Sequence, residues 1–252
     1  VQYVTWLGSA LTGDLGVSFR SGQPVATTLL ERLPATVALA VAALVVALVV
    51  AVPLGIVSAL RSGSVWDHLA SAFSQVGISV PDFWLAILLI LLFSLTLGWL
   101  PSTGYVPLTE DPWQWLRHLV LPATAVGVVS GSVITRFVRS SVLESLSEDY
   151  TRTARAKGLR EAVVVNRHVL RTALVPVVTV TGLQLAYLLG GVIIVEAIFA
   201  WPGLGRLAYQ AVQARDYPVL QGAVLLFAVI FLLVNFLVDL LYAWLDPRIT
   251  YS

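Results

Sequence analysis

Neither cysteine nor methionine occurs among the 252 residues, and charge is scarce, with Asp, Glu, Lys and Arg making up 12%. The lack of cysteine excludes disulfides and thiolate metal sites. A soluble domain carries roughly 25% charged residues, so this chain has too little charge to cover a surface facing water. Its 58% hydrophobic content and mean hydropathy of +0.88 mark an integral membrane protein. A net charge of +1 with basic residues spread among loops offers no single positive patch, and nucleic acid is not expected as a partner. Catalytic signatures are lacking too: there is no Gly-x-x-x-x-Gly-Lys-Ser/Thr phosphate loop, no His-Glu-x-x-His zinc motif and no Gly-x-Ser-x-Gly elbow. The three histidines, His68, His118 and His168, are far apart, so neither a metal site nor a resident cofactor is expected.

What is present is a series of apolar runs. Five stretches of about 20 residues or more are long enough to cross a bilayer: Ala35 to Leu60, Val76 to Leu100, Leu119 to Val138, Leu174 to Phe199 and Leu220 to Leu245. None shows the period-2 alternation of barrel strands, so an all-α, polytopic membrane fold is expected. Pro53 with Gly55 predicts a kink in the first span, and Pro81 a break near the start of the second. Trp99, Trp113, Trp115, Trp201, Tyr217, Tyr242 and Trp244 fall near span ends and fit interfacial belts. Tyr3, Trp6, Leu7 and Ala10 share helical spacing, as for an amphipathic helix lying on the outer interface, and Asp14 and Gly16 punctuate it.

Alternate loops differ in positive charge. Arg61, Arg136, Arg139, Arg152, Arg155, Lys157, Arg160, Arg167, Arg171 and Arg248 fall on one side, against Arg20, Arg32, Arg117, Arg206 and Arg215 on the other. The positive-inside rule puts the first group in the cytoplasm and, with five spans, the N-terminus outside.

Between the third and fourth spans lies a basic insert too polar for lipid and too short for a domain. Its core is Asp149, Tyr150, Arg152, Thr153, Ala154, Arg155, Ala156, Lys157, Gly158 and Leu159. Good helix formers fill Thr151 to Lys157, and Gly158 supplies the stop, since a residue without Cβ takes the left-handed conformation without steric cost. Ala154 and Ala156 leave little bulk, so a partner surface can come close, while Arg152, Arg155, Lys157 and Arg160 supply charge suited to an acidic-rimmed cleft. Charge alone fits contact with anionic headgroups equally well. The Ala-x-Ala-Lys-Gly spacing within this topology favours docking.

The insert resembles the cytoplasmic coupling loop of bacterial ABC importer permeases, specifically the dipeptide, oligopeptide and nickel branch. Further motifs extend the resemblance over nearly the whole chain: Gly13-Asp-Leu-Gly16 with Gln23-Pro-Val25, Ser79-Val-Pro-Asp-Phe-Trp84, Val195-Glu-Ala-Ile-Phe199 with Pro202-Gly-Leu-Gly205, and Asp239-Leu-Leu-Tyr242 with Leu245-Asp-Pro-Arg248. Two departures from the broad Glu-Ala-Ala pattern, Arg152-Thr153-Ala154 and a late Pro176, are features of that branch. The resemblance implies a type I importer permease in the bacterial inner membrane. An extracytoplasmic segment would cover 1–24 and a permease domain 25–248, with a coupling loop at 144–172. It further implies a homologous second permease subunit, two ATPase subunits that bind ATP and Mg, and an extracytoplasmic substrate-binding protein. The loop of Trp201, Pro202, Gly203 and Arg206 would border the docking surface for that protein. The family has six spans, so one upstream helix is expected to be absent from this sequence. The missing methionine and an opening unlike a signal peptide agree with that.

Ionisable groups inside spans are costly and need a cavity, a partner or an interface. Glu196 and Asp239 lie near span ends and read as anchors. Asp82, after Pro81, is a candidate for lining the translocation path, with Thr181, Gln184 and Tyr187 of the polar fourth span. Gly127 and Gly131 form a Gly-x-x-x-Gly pair for close helix packing. Alternatives from other classes are an intramembrane enzyme, which would need paired catalytic groups at one depth, and a passive channel or secondary transporter, for which the insert would have no purpose.

Overall fold

In the computed structural model of the chain the described residues are 6, 8–10, 12–190 and 192–245, the side chains of 241–245 excepted. Tyr3, Leu7, Gly191, the Asp246-Pro247-Arg248 signature and the side chains of Tyr242 and Trp244 therefore lie outside the described residues. Among the described residues ten α-helical segments follow Pro24: α1 (Val25–Leu60), α2 (Val65–Ser79), α3 (Asp82–Leu89), α4 (Pro112–Ser147), α5 (Asp149–Ala156), α6 (Glu161–Val163), α7 (Leu170–Leu189), α8 (Ile193–Ile198), α9 (Leu204–Ala214) and α10 (Tyr217–Leu245). Two π-helical turns, Ile90–Thr96 after α3 and Val164–Val169 before α7, join them. Extended pairing among the described residues is limited to an isolated bridge between Val17 and Pro24.

Among the described residues four helices are long and apolar enough to cross a membrane: Val25–Leu60, Pro112–Ser147, Glu161–Leu189 and Tyr217–Leu240. A fifth crossing is available from Val65–Ser79 with Asp82–Thr96, a pair bent by 104°. The expected second span from Val76 to Leu100 is thus two helices. Pro81 lacks an amide proton and pushes Val80 out of the α region, to φ −87° and ψ 124°. Helix α2 is less apolar than the runs on either side, and hydropathy alone passes over it. The fourth span ends at Leu189, not Phe199, and α8 is a separate helix. Helix α1 begins ten residues before the expected Ala35 and carries Glu31 and Arg32.

The chain divides into two compact units, Val1–Ala42 with Asp82–Val126 and Tyr187–Leu232, and Ala43–Pro81 with Gly127–Ala186 and Leu233–Ser252. The second unit is built on close approach of α1 to α4. Ala43, Ala47 and Ala51 are buried while Val45 and Val49 on the other side of the helix are exposed. In lipid the driving force is packing, so small residues mark the contact face and large apolar ones the lipid face. A Cβ at Gly127 would stand 2.6 Å from the Ala43 carbonyl oxygen, and one at Gly131 3.2 Å from Ala47 Cα. The Gly-x-x-x-Gly pair therefore works as expected. Helix α2 joins the same contact: Ser74 Oγ donates to Ser132 O at 2.7 Å, and a Cβ at Gly77 would collide with the Ser132 side chain. The core of this unit runs from Ile134, Val138 and Val142 of α4 to Ala154 of α5 and Val169, Ala173 and Val177.

The first unit centres on Val25 and Leu29 of α1, Leu204, Ala208 and Ala211 of α9, and Val219 and Ala223 of α10. A Cβ at Gly222 would meet Val25 Cγ1 at 2.7 Å, which explains why α1 and α10 lie so close there.

Candidate coupling helix and outer latch

Helix α5 is where the sequence places it. Glu148 is extended, with φ −67° and ψ 150°, and Asp149 sits in the first turn, where the helix dipole favours a negative charge. Thr151 is fully buried and its hydroxyl donates to Ser145 O at 2.7 Å, satisfying a carbonyl left open at the end of α4. Ala154, one turn on, is buried as well. Its small side chain therefore serves packing on the protein's own core, not the approach of a partner. The outward face carries Tyr150, Arg152, Thr153, Arg155, Ala156 and Lys157, all exposed.

The helix ends as the glycine predicts. Gly158 has φ +77°; its amide donates to Arg155 O at 2.9 Å and that of Leu159 to Ala154 O at 3.4 Å. This is the paired bonding of a Schellman stop. A Cβ on Gly158 would meet nothing within 4 Å, so what the glycine supplies is backbone freedom, not space. Arg155 also forks onto Glu161, with Nε to Oε2 at 3.1 Å and Nη2 to Oε1 at 2.7 Å, tying the helix to the start of α6. Leu159 and Arg160 are exposed beside it.

In the first unit the segment from Glu196 to Arg206 closes on itself. The Glu196 carboxylate is fully buried. It accepts from Thr36 Oγ1 at 2.8 Å and from the Arg206 amide at 2.9 Å. The Arg206 amide belongs to the first turn of α9, where unpaired N–H groups and the helix dipole favour an anion. Thr36 Oγ1 in turn accepts from the Leu204 amide at 2.8 Å. Glycine is needed beside the carboxylate, because a Cβ at Gly203 would sit 2.1 Å from Glu196 Oε1. Glu196 is thus the anchor that its position suggested. Asp239 is not: it is exposed on α10.

Trp201 is assigned differently from its sequence reading. It is fully buried, donates from Nε1 to Ala35 O at 2.8 Å and stacks edge-on against Tyr105 with ring centroids 4.8 Å apart. It can neither join an interfacial belt nor touch a docking partner. Gly203 is buried also, which leaves Pro202 and Arg206 as the partly exposed residues of the expected docking loop.

Of the candidate path residues, Asp82 opens α3 and accepts from the Phe83 amide at 2.7 Å. Thr181, Gln184 and Tyr187 recur every third residue along α7 and share one side of it; the first two are half-buried and Tyr187 is 61% exposed. Gly182 of the same helix packs inside the protein, since a Cβ there would lie 2.2 Å from Val238 Cγ2.

Two buried carboxylates escape sequence reading altogether. Asp67 of α2 pairs with Arg139, at 2.7 Å to Nε and 3.0 Å to Nη2, and accepts from Ser58 Oγ at 2.6 Å. Asp216 accepts from the Ser18 hydroxyl and from the Phe19 amide at 3.1 Å. Burial alone would push its carboxyl up, but hydrogen bonds from Ser18 and the amides of Phe19, Arg20 and Val219 outweigh it and hold the group below the usual carboxylate range. Nothing in the sequence singles these residues out, because their partners lie 72 and 198 positions away.

Residues 51–251 match the family described as binding-protein-dependent transport system inner membrane component. The whole chain aligns at 46% identity with a putative peptide transport system permease protein of Brucella abortus (strain 2308), covering 80% of it. It aligns in full at 42% with the dipeptide transport system permease protein DppB of Alkalihalophilus pseudofirmus, over 81% of that protein, and at 45% with the glutathione transport system permease protein GsiC of Escherichia coli O6:H1, over 79%. In fold it is similar to a chain of the MetNI methionine ABC transporter in an inward-facing conformation, with a TM-score of 0.71 at 21% identity over 87% of this chain and 96% of that one. That likeness bears on the fold alone, an ABC importer permease fold. Since the family match takes in most of the chain and relatives above 40% identity align with all of it, the chain belongs to the inner-membrane components of binding-protein-dependent transport systems and is a multi-pass membrane permease.

Proposed function

We propose that this permease carries di- and oligopeptides into the cytoplasm as part of an ABC importer, and that α5 is the element through which ATPase subunits drive it. The observation that carries the coupling role is the geometry of α5: a buried Thr151 and Ala154 hold it on the core, while its outward face is exposed, basic and closed by a glycine stop. Of the loop expected at 144–172, the part outside the long helices is Glu148 to Arg160. Peptide cargo is supported by the relatives named for peptide, dipeptide and glutathione transport; nickel is a cargo of the wider family. ATP and Mg would be bound by two partner ATPase subunits. A substrate-binding protein would dock on the opposite side near Pro202 and Arg206.

In this scheme the permease domain covers 25–248 and residues 1–24 are extracytoplasmic. Alternating access would follow from ATP-driven closure of the ATPases moving α5 and the helices attached to it. The deciding experiment is uptake of labelled di- and oligopeptides by the reconstituted transporter with its cognate binding protein. Peptide-independent uptake, or ATP-driven uptake of nickel alone, would overturn the cargo assignment.

Two further outcomes test the scheme. In this cysteine-free chain, Ser102→Cys is expected to label from outside and Arg160→Cys from the cytoplasm. Labelling of both from one side would end the proposed topology. The polar row on α7 needs something other than lipid opposite it, and we assign that place to a homologous second permease, with Asp82, Thr181, Gln184 and Tyr187 along the path. Tyr187→Cys is therefore expected to cross-link to the partner permease. An active transporter whose only permease is one copy of this chain, shown by native mass spectrometry, would remove the interface pathway.

A further inference from the structure

A pocket of about 210 Å³ lies in the first unit between the Ser18–Ser21 turn, α1, α9 and the start of α10. Arg20 and Arg32 both line it, with Ser21, Thr28, Gln210 and Asp216. Arg32 lies two turns inside α1, a helix of membrane-spanning length, and is half-buried. A half-buried guanidinium is costly to hold without an anion opposite it. Among the described residues the ion pairs are Asp67–Arg139, Asp149–Arg152 and Arg155–Glu161, so neither Arg20 nor Arg32 has a carboxylate of its own. Asp216, the one acid in the lining, is already engaged by the Ser18 hydroxyl and the Phe19 amide. The Thr28 proton is used on Pro24 O, whereas Ser21 Oγ accepts from the Gln23 amide and keeps its proton for a ligand.

We propose that this pocket binds the phosphate of an anionic phospholipid headgroup, with Arg20 and Arg32 as the charged partners and Ser21 and Gln210 as added donors. Two arginines at one pocket suit the several oxygens of a tetrahedral phosphate, two of which a flat guanidinium can grip with parallel bonds. The source is lipid and not an acidic protein side chain, because the pocket opens where two span-length helices, α1 and α10, both begin. Phe19 and Tyr217, adjoining the lining residues Arg20 and Asp216, are 75% and 58% exposed, as aromatic side chains are at headgroup level. The inference does not depend on the cargo or on the coupling role of α5.

The test is native mass spectrometry of the assembled transporter released from micelles containing either phosphatidylglycerol or phosphatidylcholine. The wild type is expected to retain phosphatidylglycerol in preference to phosphatidylcholine. Arg20→Gln, at an exposed turn position that does not endanger folding, should lower retention about tenfold, the factor for losing one charge-assisted contact. Arg32→Lys keeps the charge but not the fork, and should fall between the two. Retention unchanged in Arg20→Gln would overturn the site. If inorganic phosphate protects the pocket while neither lipid is retained, the ligand is free phosphate and the lipid assignment fails. Weakened affinity for the binding protein in Arg20→Gln, with lipid retention unaltered, would make the pocket a protein dock and overturn the proposal equally.

Discussion

Glu196→Ala is expected to yield a permease that inserts but melts far below the wild type in mild detergent. The carboxylate is fully buried and gathers the Thr36 hydroxyl and the Arg206 amide, with the Gly205 amide beside it. Removing it leaves these donors facing an apolar cavity. An orphaned buried donor costs about 1 to 3 kcal/mol, and this carboxylate serves the Thr36 hydroxyl together with the backbone amide of Arg206. Thr36 also accepts from the first amide of α9, so the damage would pass from α1 to that helix. Glu196→Gln keeps the shape but turns an amide group toward backbone donors, and should show a smaller loss in the same direction. Gly203→Ala, whose Cβ would stand 2.1 Å from Glu196 Oε1, should resemble Glu196→Ala although the carboxylate remains. Monodisperse protein surviving heat challenge, read by size-exclusion chromatography, is the measurement. A wild-type melting profile for both Glu196→Ala and Gly203→Ala would show that the latch holds nothing.

Gly158→Val should abolish transport while leaving the protein inserted and folded. Its Cβ would meet no neighbour, so the damage is confined to the backbone: a β-branched residue at φ +77° costs about 1 to 3 kcal/mol. The chain can escape that cost by unwinding the stop, which breaks the hydrogen bonds that the Gly158 and Leu159 amides donate and turns the exposed face of α5. If α5 docks as proposed, a helix that no longer presents Arg152 and Lys157 in register cannot transmit ATPase closure. Substrate-stimulated ATP hydrolysis and uptake should fall together, with melting near that of the wild type because Thr151 and Ala154 still hold the N-terminal part of the helix. Gly158→Asn, which tolerates the left-handed region better, should retain part of the activity. Full transport by a well-expressed Gly158→Val variant would remove α5 from the coupling scheme.

The sequence by itself determined the solvent, the helical class, the approximate number of crossings and the place of the short basic helix. Each depends on local quantities: apolar run length, helix propensity and one glycine. For the same reason Gly158 could be read correctly as a left-handed stop, and Gly127 with Gly131 as a contact. What only the tertiary structure decided is which polar and aromatic groups turn inward. Trp201 looks like an interfacial or docking residue by composition, yet Tyr105 and Ala35, distant in the chain, enclose it. Ala154 looks like a clearance for a partner, yet it faces the core formed with Val164 and Val169. The pairing of Asp67 with Arg139 and of Asp216 with Ser18 spans 72 and 198 positions, and no local periodicity carries such information. Helix α2 belongs to the same class, because its packing on Ser132, and not its hydropathy, places it. In a membrane protein the lipid rewards apolar surface wherever it lies, so hydropathy finds the spans; it does not say which face of a helix meets protein, and there the small residues and buried hydrogen bonds decide.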